Sequence, residues 1–233
     1  NFVYYSYWSS FFNKEIIFNK HPISFDDYRT AFVKVMENIN AGNTYLMNLT
    51  FPTHIETNLT LKEVFLHSTA RYKLLYQDKF VVFSPEIFVQ IDNNKISSHP
   101  MKGTIAAEIP NANDKILTDE KELAEHNTIV DLIRNDLNMV ADNVHVEKFR
   151  YIDKIRTNDK DLLQVSSRIS GDLEMGYGKR IGDIILALLP AGSISGAPKK
   201  KTLEIINEVE NYNRGYYTGI LGYFDGRKFD SGV

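Results

Sequence analysis

The runs Lys73-Leu74-Leu75-Tyr76-Gln77, Phe80-Val81-Val82-Phe83, Ile87-Phe88-Val89-Gln90-Ile91 and Lys95-Ile96-Ser97-Ser98 decide the fold class. They are rich in β-forming residues and are broken by Asp78, Pro85 and Asn93-Asn94, which favour turns over ladder pairing. Short β-rich runs divided in this way predict an antiparallel meander. On the N-terminal side, residues 1–18 are aromatic-rich and partly alternating, which predicts strand. Ser24 with Asp27 resembles a capping box, and Phe32, Val35, Met36 and Ile39 fall on one helical stripe that Gly42 ends. Tyr45–Thr53 then reads as a strand and Leu61–Ala70 as a short helix.

On the C-terminal side, Asp119 with Glu122 opens a second helix, whose apolar positions Leu123, Val130, Ile133 and Leu137 carry it to about Val140. Val144–Ile155 and Leu162–Ile169 read as strands, Ile181–Leu189 and Lys199–Val209 as helices. Tyr216–Phe224 and Lys228–Asp230 predict a hairpin around Asp225-Gly226. Helices interrupt runs of antiparallel strands instead of alternating with them one for one, which favours α+β over a doubly wound parallel sheet. The 233 residues, 43% of them hydrophobic, are expected to form one domain.

Thirty acidic and 27 basic residues leave a net charge of −3, and no basic block is mixed with aromatics, so nucleic acid is not an expected partner. The absence of cysteine excludes disulfides, thiolate metal ligands and a cysteine nucleophile, and fits a reducing compartment. The longest apolar stretch, Ile184–Leu189, is too short to span a bilayer, and a soluble cytoplasmic protein is expected.

Three stretches could carry chemistry. Ala191–Lys201 places Gly192, Ser193, Ser195 and Gly196 before Pro198 and a helix, a build that can present N–H groups to an anion; it equally suits an ordinary connection, and it lacks the Gly-Lys-Ser/Thr of a Walker loop. Lys102, before Gly103-Thr104, could serve as an amine nucleophile if partly buried, or be a solvated turn lysine. Glu86 follows Ser84-Pro85 at a turn that could fold back beside Lys102, where a carboxyl group could exchange a proton with a leaving hydroxyl. On the second helix, Glu125 shares a stripe with Ile129, Leu132 and Asp136; it could cap the helix or give one ligand to a hard divalent ion. Asp131 and Arg134 are spaced to pair. Zinc spacings and a Gly-x-Ser-x-Gly elbow are absent.

Gly42–Thr50, Ser84-Pro85-Glu86, Pro100–Thr104, Ala124-Glu125-His126, Ile129–Leu137 and Gly192–Lys199, in this order along the chain, together resemble the chorismate-utilising enzyme family. That family includes anthranilate synthase component I, aminodeoxychorismate synthase component I, and the isochorismate and salicylate synthases. The resemblance implies large antiparallel sheets packed face to face with helices outside. Pro100-Met101-Lys102-Gly103-Thr104 resembles the Pro-x-Lys-Gly-Thr of aminodeoxychorismate synthases, where anthranilate synthases carry alanine in place of the lysine. Leu46 aligns with the water-activating lysine of the isochorismate and salicylate enzymes. Gln164 stands where anthranilate synthases carry a histidine linked to pyruvate elimination.

The resemblance therefore implies addition of ammonia to chorismate, giving 4-amino-4-deoxychorismate for 4-aminobenzoate and folate synthesis. Lys102 would attack the ring, with Glu86 as general acid. Glu125 would help to hold Mg²⁺, and Thr104, Gly192, Ser193, Ser195 and Gly196 would bind substrate. Ammonia would come from a glutamine amidotransferase. Family members continue beyond the last hairpin with further substrate and Mg²⁺ ligands, so the chain is expected to be incomplete at both ends and inactive by itself. Anthranilate synthase is the alternative within the family. An inactive homologue that binds the amidotransferase is the alternative of another class, opposed by the joint presence of Glu86, Lys102 and Glu125.

Overall fold

The computed structural model describes residues 15–155 and 160–233. Most of the strand expected over residues 1–18 lies outside the described residues; Phe18–His21 forms β1. Helix α1, Phe25–Asn40, begins where the Ser24 hydroxyl accepts the Asp27 N–H at 3.1 Å. It ends before Gly42, whose φ of +74° turns the chain away. The buried stripe of α1 is Ala31 and Val35 with Ile39 beside them, packed on Ile205 and Val209 of α7, Lys199–Val209. Phe32, expected on that stripe, is 42% exposed and stacks on Tyr28 at 5.8 Å. The physical reason is the direction from which α7 approaches.

The strand expected over Tyr45–Thr53 shrinks to β2, Leu46–Met47, before β3, His54–Thr57, pairs with β1. Pro52 has no N–H for a ladder, and the Thr50 N–H donates to the Glu210 side chain instead. Helix α2 covers Leu61–His67 and carries a full capping box between Thr60 and Glu63.

The meander divides. Strands β4, Tyr72–Tyr76, and β5, Phe80–Ser84, pair only as a two-stranded ribbon, whereas β6, Ile87–Asp92, and β7, Lys95–Ser98, join a seven-stranded antiparallel sheet. Pro85 and a bond from the Glu86 N–H to the Ser84 hydroxyl at 3.1 Å interrupt the ladder between them. The sheet also contains β8, Met101–Ala106; β9, Asp142–Ile155; β10, Leu162–Asp172; β12, Leu221–Phe224; and β13, Phe229–Gly232. β7 and β8 lie end to end on one edge of β10: Ser98 faces Ile169 and Met101 faces Ser166. β9 takes the other edge.

Helices α3, Ala112–Thr118, and α4, Glu120–Leu137, follow β8. Ile129, Val130, Ile133 and Leu137 of α4 join Phe88, Val89, Ile91, Ile96 and Ile169 of the sheet in the main core, with Ile184 and Leu188 of α5, Ile181–Leu188. Each fully buried aliphatic side chain of this kind contributes roughly 1.5–3 kcal/mol, so the long helix is fixed on the sheet by its apolar stripe. The α+β class expected from the sequence holds.

Candidate active site

Three elements meet at Lys102. The first is β8, which carries the lysine. The second is α4, where Glu125 presents Oε2 to Lys102 Nζ at 3.3 Å, with Lys121 Nζ 3.9 Å from the other oxygen. Both members of the first pair keep about a third of their side chains in contact with solvent, 35% and 34%. The third is the β5–β6 turn, which places the half-buried Glu86 within electrostatic reach of Lys102. Burial pushes the Glu86 carboxyl group up from its ordinary value, while the Ser193 side chain and the Lys102 charge pull it back down. A raised carboxyl pKa favours the protonated form that a general acid requires.

Ser193 belongs to the glycine- and serine-rich stretch. There Gly192–Ser195 winds into one helical turn, α6, and Gly196–Ala197 forms β11, paired with β2. The N–H groups of Ile194 and Ser195 both donate to the Ala191 carbonyl, at 3.1 and 3.0 Å, and the Gly196 N–H donates to Gly192. These three N–H groups close on the turn itself instead of facing an anion, whereas those of Gly192 and Ser193, at its start, have no acceptor within the turn. Ser195 is buried, and its hydroxyl donates to Ala191. Gly196 has φ of +116°, and a Cβ there would stand 1.9 Å from the Leu46 carbonyl oxygen, so backbone approaches backbone where no side chain fits.

Behind that turn, Asp136 at the end of α4 meets Lys199 at 2.8 Å, and Lys199 also donates to the Leu188 carbonyl at 3.0 Å. Gly192 is pressed against Asp136 and Leu132; a Cβ on it would come within 2.8 Å of Leu132 and 3.1 Å of Asp136. Thr104 is exposed and stands opposite Gln164 across the β8–β10 ladder. Asp131 and Arg134 pair at 2.7 Å, as their spacing predicts.

Several positioning groups escaped the sequence reading. The Asn48 side-chain amide donates to the Ser193 and Ile194 carbonyls at 2.7 and 3.0 Å. His126, fully buried beside Glu125, bonds the Ser167 hydroxyl through Nε2 at 2.7 Å, and burial together with the Arg150 charge lowers its pKa to about 4. On the far side of the Ala191–Ser195 turn is a cavity of about 700 Å³, lined in part by Ile194, Glu210, Arg214 and Tyr217. Glu210 and Arg214 pair at 2.6 Å within it. Asn48 and His126 lie inside motifs already quoted; the i,i+4 spacing of Glu210 and Arg214 was the only signal for that pair.

As for a metal, the described residues contain no group of three or more His, Asp or Glu suited to hold one. Glu125 supplies a single partly exposed carboxylate, which suits a hard ion that fills its shell with water and substrate oxygens. No described helix is long and apolar enough to cross a membrane.

The profile of the family described as chorismate binding enzyme matches residues 11–233. An uncharacterized PabA-like protein of Haemophilus influenzae is 54% identical over 216 residues, covering 93% of this chain and 66% of its own length. Aminodeoxychorismate synthase component 1 of Bacillus subtilis is 33% identical over 217 residues, which are 87% of this chain and 45% of that protein. The crystal structure of anthranilate synthase component I from Streptococcus pneumoniae superposes with a TM-score of 0.74 at 25% identity, covering 94% of this chain and 50% of the other. The chain thus spans between about half and two thirds of the length of these relatives. With a family profile matched across nearly its whole length, the chain belongs to the chorismate binding enzymes.

Proposed function

We propose that this chain is the chorismate-binding catalytic domain, or the larger part of one, of an aminodeoxychorismate synthase component I. The observation that supports the reading is the half-open Lys102–Glu125 pair at 3.3 Å, with Glu86 within electrostatic reach of the same lysine. Lys102, as a neutral amine, forms a C–N bond to the chorismate ring while the C–O bond of the 4-hydroxyl breaks. Glu86 gives its proton to that oxygen, and water leaves. Ammonia then forms the second C–N bond as the bond to Lys102 breaks, and the proton shed by the ammonia nitrogen returns to the carboxylate. Two easier displacements replace one difficult displacement at an allylic alcohol.

Thr104, Gly192 and Ser193 are the proposed substrate contacts; Ser195 and Gly196, whose N–H groups are spent within the turn, shape it instead. Mg²⁺ belongs to the same proposal, with Glu125 as one ligand; when bound it would supply charge stabilisation for the departing oxygen. A glutamine amidotransferase is the proposed source of ammonia, in keeping with relatives named as component 1. A cytoplasmic setting is part of the same reading.

The test uses the full-length protein with chorismate, Mg²⁺ and ammonium, with the product identified by mass and fluorescence. A non-fluorescent amino product that becomes 4-aminobenzoate only when a lyase is added is expected. Lys102→Ala should abolish the covalent adduct in intact-mass spectra and lower turnover by at least about 100-fold. Normal turnover in that variant would remove the nucleophile. Anthranilate synthase is the second reading, favoured by the 39% identity over 154 residues to component 1 of that enzyme from Aquifex aeolicus. A fluorescent aromatic product would establish it.

A further inference from the structure

We propose that Asn48 is a positioning residue for the general acid: its side-chain amide clamps the loop that carries Ser193 onto Glu86. The inference rests on the role given to Glu86 above.

The geometry is a relay of directed bonds that starts in the interior. The Glu210 side chain is 1% exposed and receives Arg214 through two bonds of 2.6 and 2.7 Å. Thr50 adds its N–H and hydroxyl to the same carboxylate, at 2.8 and 3.0 Å. Arg214 Nη2 also donates to the Asn48 carbonyl at 2.8 Å, so the main chain of Asn48 is tied to a buried, fully engaged ion pair. With its backbone held, Asn48 points Nδ2 at two successive carbonyls, of Ser193 at 2.7 Å and Ile194 at 3.0 Å.

An NH₂ group has two donors, and here two acceptors are offered to it. No other side chain of similar size does this: aspartate would set oxygen against oxygen, and leucine would leave both carbonyls without that partner. Ser193, whose carbonyl is thus fixed, turns its side chain within hydrogen-bonding reach of Glu86. The groups that face Glu86 are Ser193 from the loop and Lys102 from β8.

The experiment compares Asn48→Ala, Ser193→Ala, their combination and Glu86→Gln in the full-length protein, using chorismate and ammonium. Asn48→Ala should lower kcat by about 10- to 100-fold, as misplacement of a catalytic group does, and should raise the KM for chorismate as well, because the loosened turn also carries proposed substrate contacts. The Ser193 contact favours the charged carboxylate, so its loss raises the Glu86 pKa, and the basic limb of the kcat–pH profile should move to higher pH. Ser193→Ala should move the limb in the same direction, and the double variant should move it no further, because both act through one contact.

A Glu86→Gln enzyme that is inactive while Asn48→Ala keeps the kcat and pH profile of the wild type would overturn the positioning role and leave the general acid standing. Normal turnover by Glu86→Gln would overturn both. If Asn48→Ala does not fold, Ser193→Ala alone decides, and an unmoved basic limb sinks the proposal.

Discussion

Helix α4 carries two lysine–carboxylate pairs about three turns apart, and they are built for opposite purposes. Asp136 and Lys199 meet at 2.8 Å with only 12% and 19% of their side chains exposed, and the lysine has a second acceptor in Leu188. This pair ties the end of α4 to the end of α5 and the start of α7. Glu125 and Lys102 meet at 3.3 Å with a third of each side chain open to solvent. Two charges withdrawn from water and satisfied by each other become part of the scaffold, because losing one strands the other in a poorly solvating place. A pair left half open costs little to separate.

Removing the charge of Asp136 should break this contrast most visibly. Asp136→Asn leaves the Lys199 ammonium without its counter-charge and is expected to cost about 3–5 kcal/mol in denaturant unfolding. A loss below about 1 kcal/mol would mean that the closed pair is no more structural than the open one. Gly192→Ala sharpens the picture from the side of the loop. The new Cβ would press on Leu132 and Asp136, and overpacking of this kind costs about 1–3 kcal/mol. The accompanying fall in Tm should appear together with lower turnover, since the same turn carries Ser193. The smallest effect on stability is expected at the open pair. Glu125→Gln should stay within about 1 kcal/mol of the wild type in unfolding, yet lose activity and respond more weakly to added Mg²⁺. Unchanged kinetics in that variant would take Glu125 out of the site.

The contrast also marks what could be read from residues alone. Glu125, Lys102 and Glu86 stand out as candidates because each lies in a motif with a recognisable neighbour, and capping at Ser24 and Asp119 follows from local chemistry over three or four residues. Asn48 gives no such signal, since an asparagine after Met47 means nothing until the carbonyls of Ser193 and Ile194 stand beside it, some 145 residues away in the chain. The division of the meander at Pro85 is hidden in the sequence for a related reason. β-rich runs with turns between them look the same whether consecutive strands pair or part, and only the partners β13 and β10 show where β6 and β7 belong.

By itself, then, the sequence determined the α+β class, the starts of α1, α2, α4, α5 and α7 though not of α3, the membership of the chorismate binding enzymes and the candidates for nucleophile, acid and ligand. Each of these depends on residue type and short spacing. The tertiary structure decided which carboxylate faces Lys102 and which lies closed on Lys199. It also decided which face of α1 is buried, and that the turn over Gly192–Ser195 spends the Ile194, Ser195 and Gly196 N–H groups internally while bringing Ser193 to Glu86. Those outcomes depend on the direction from which distant segments arrive, and packing of the whole chain alone sets that direction.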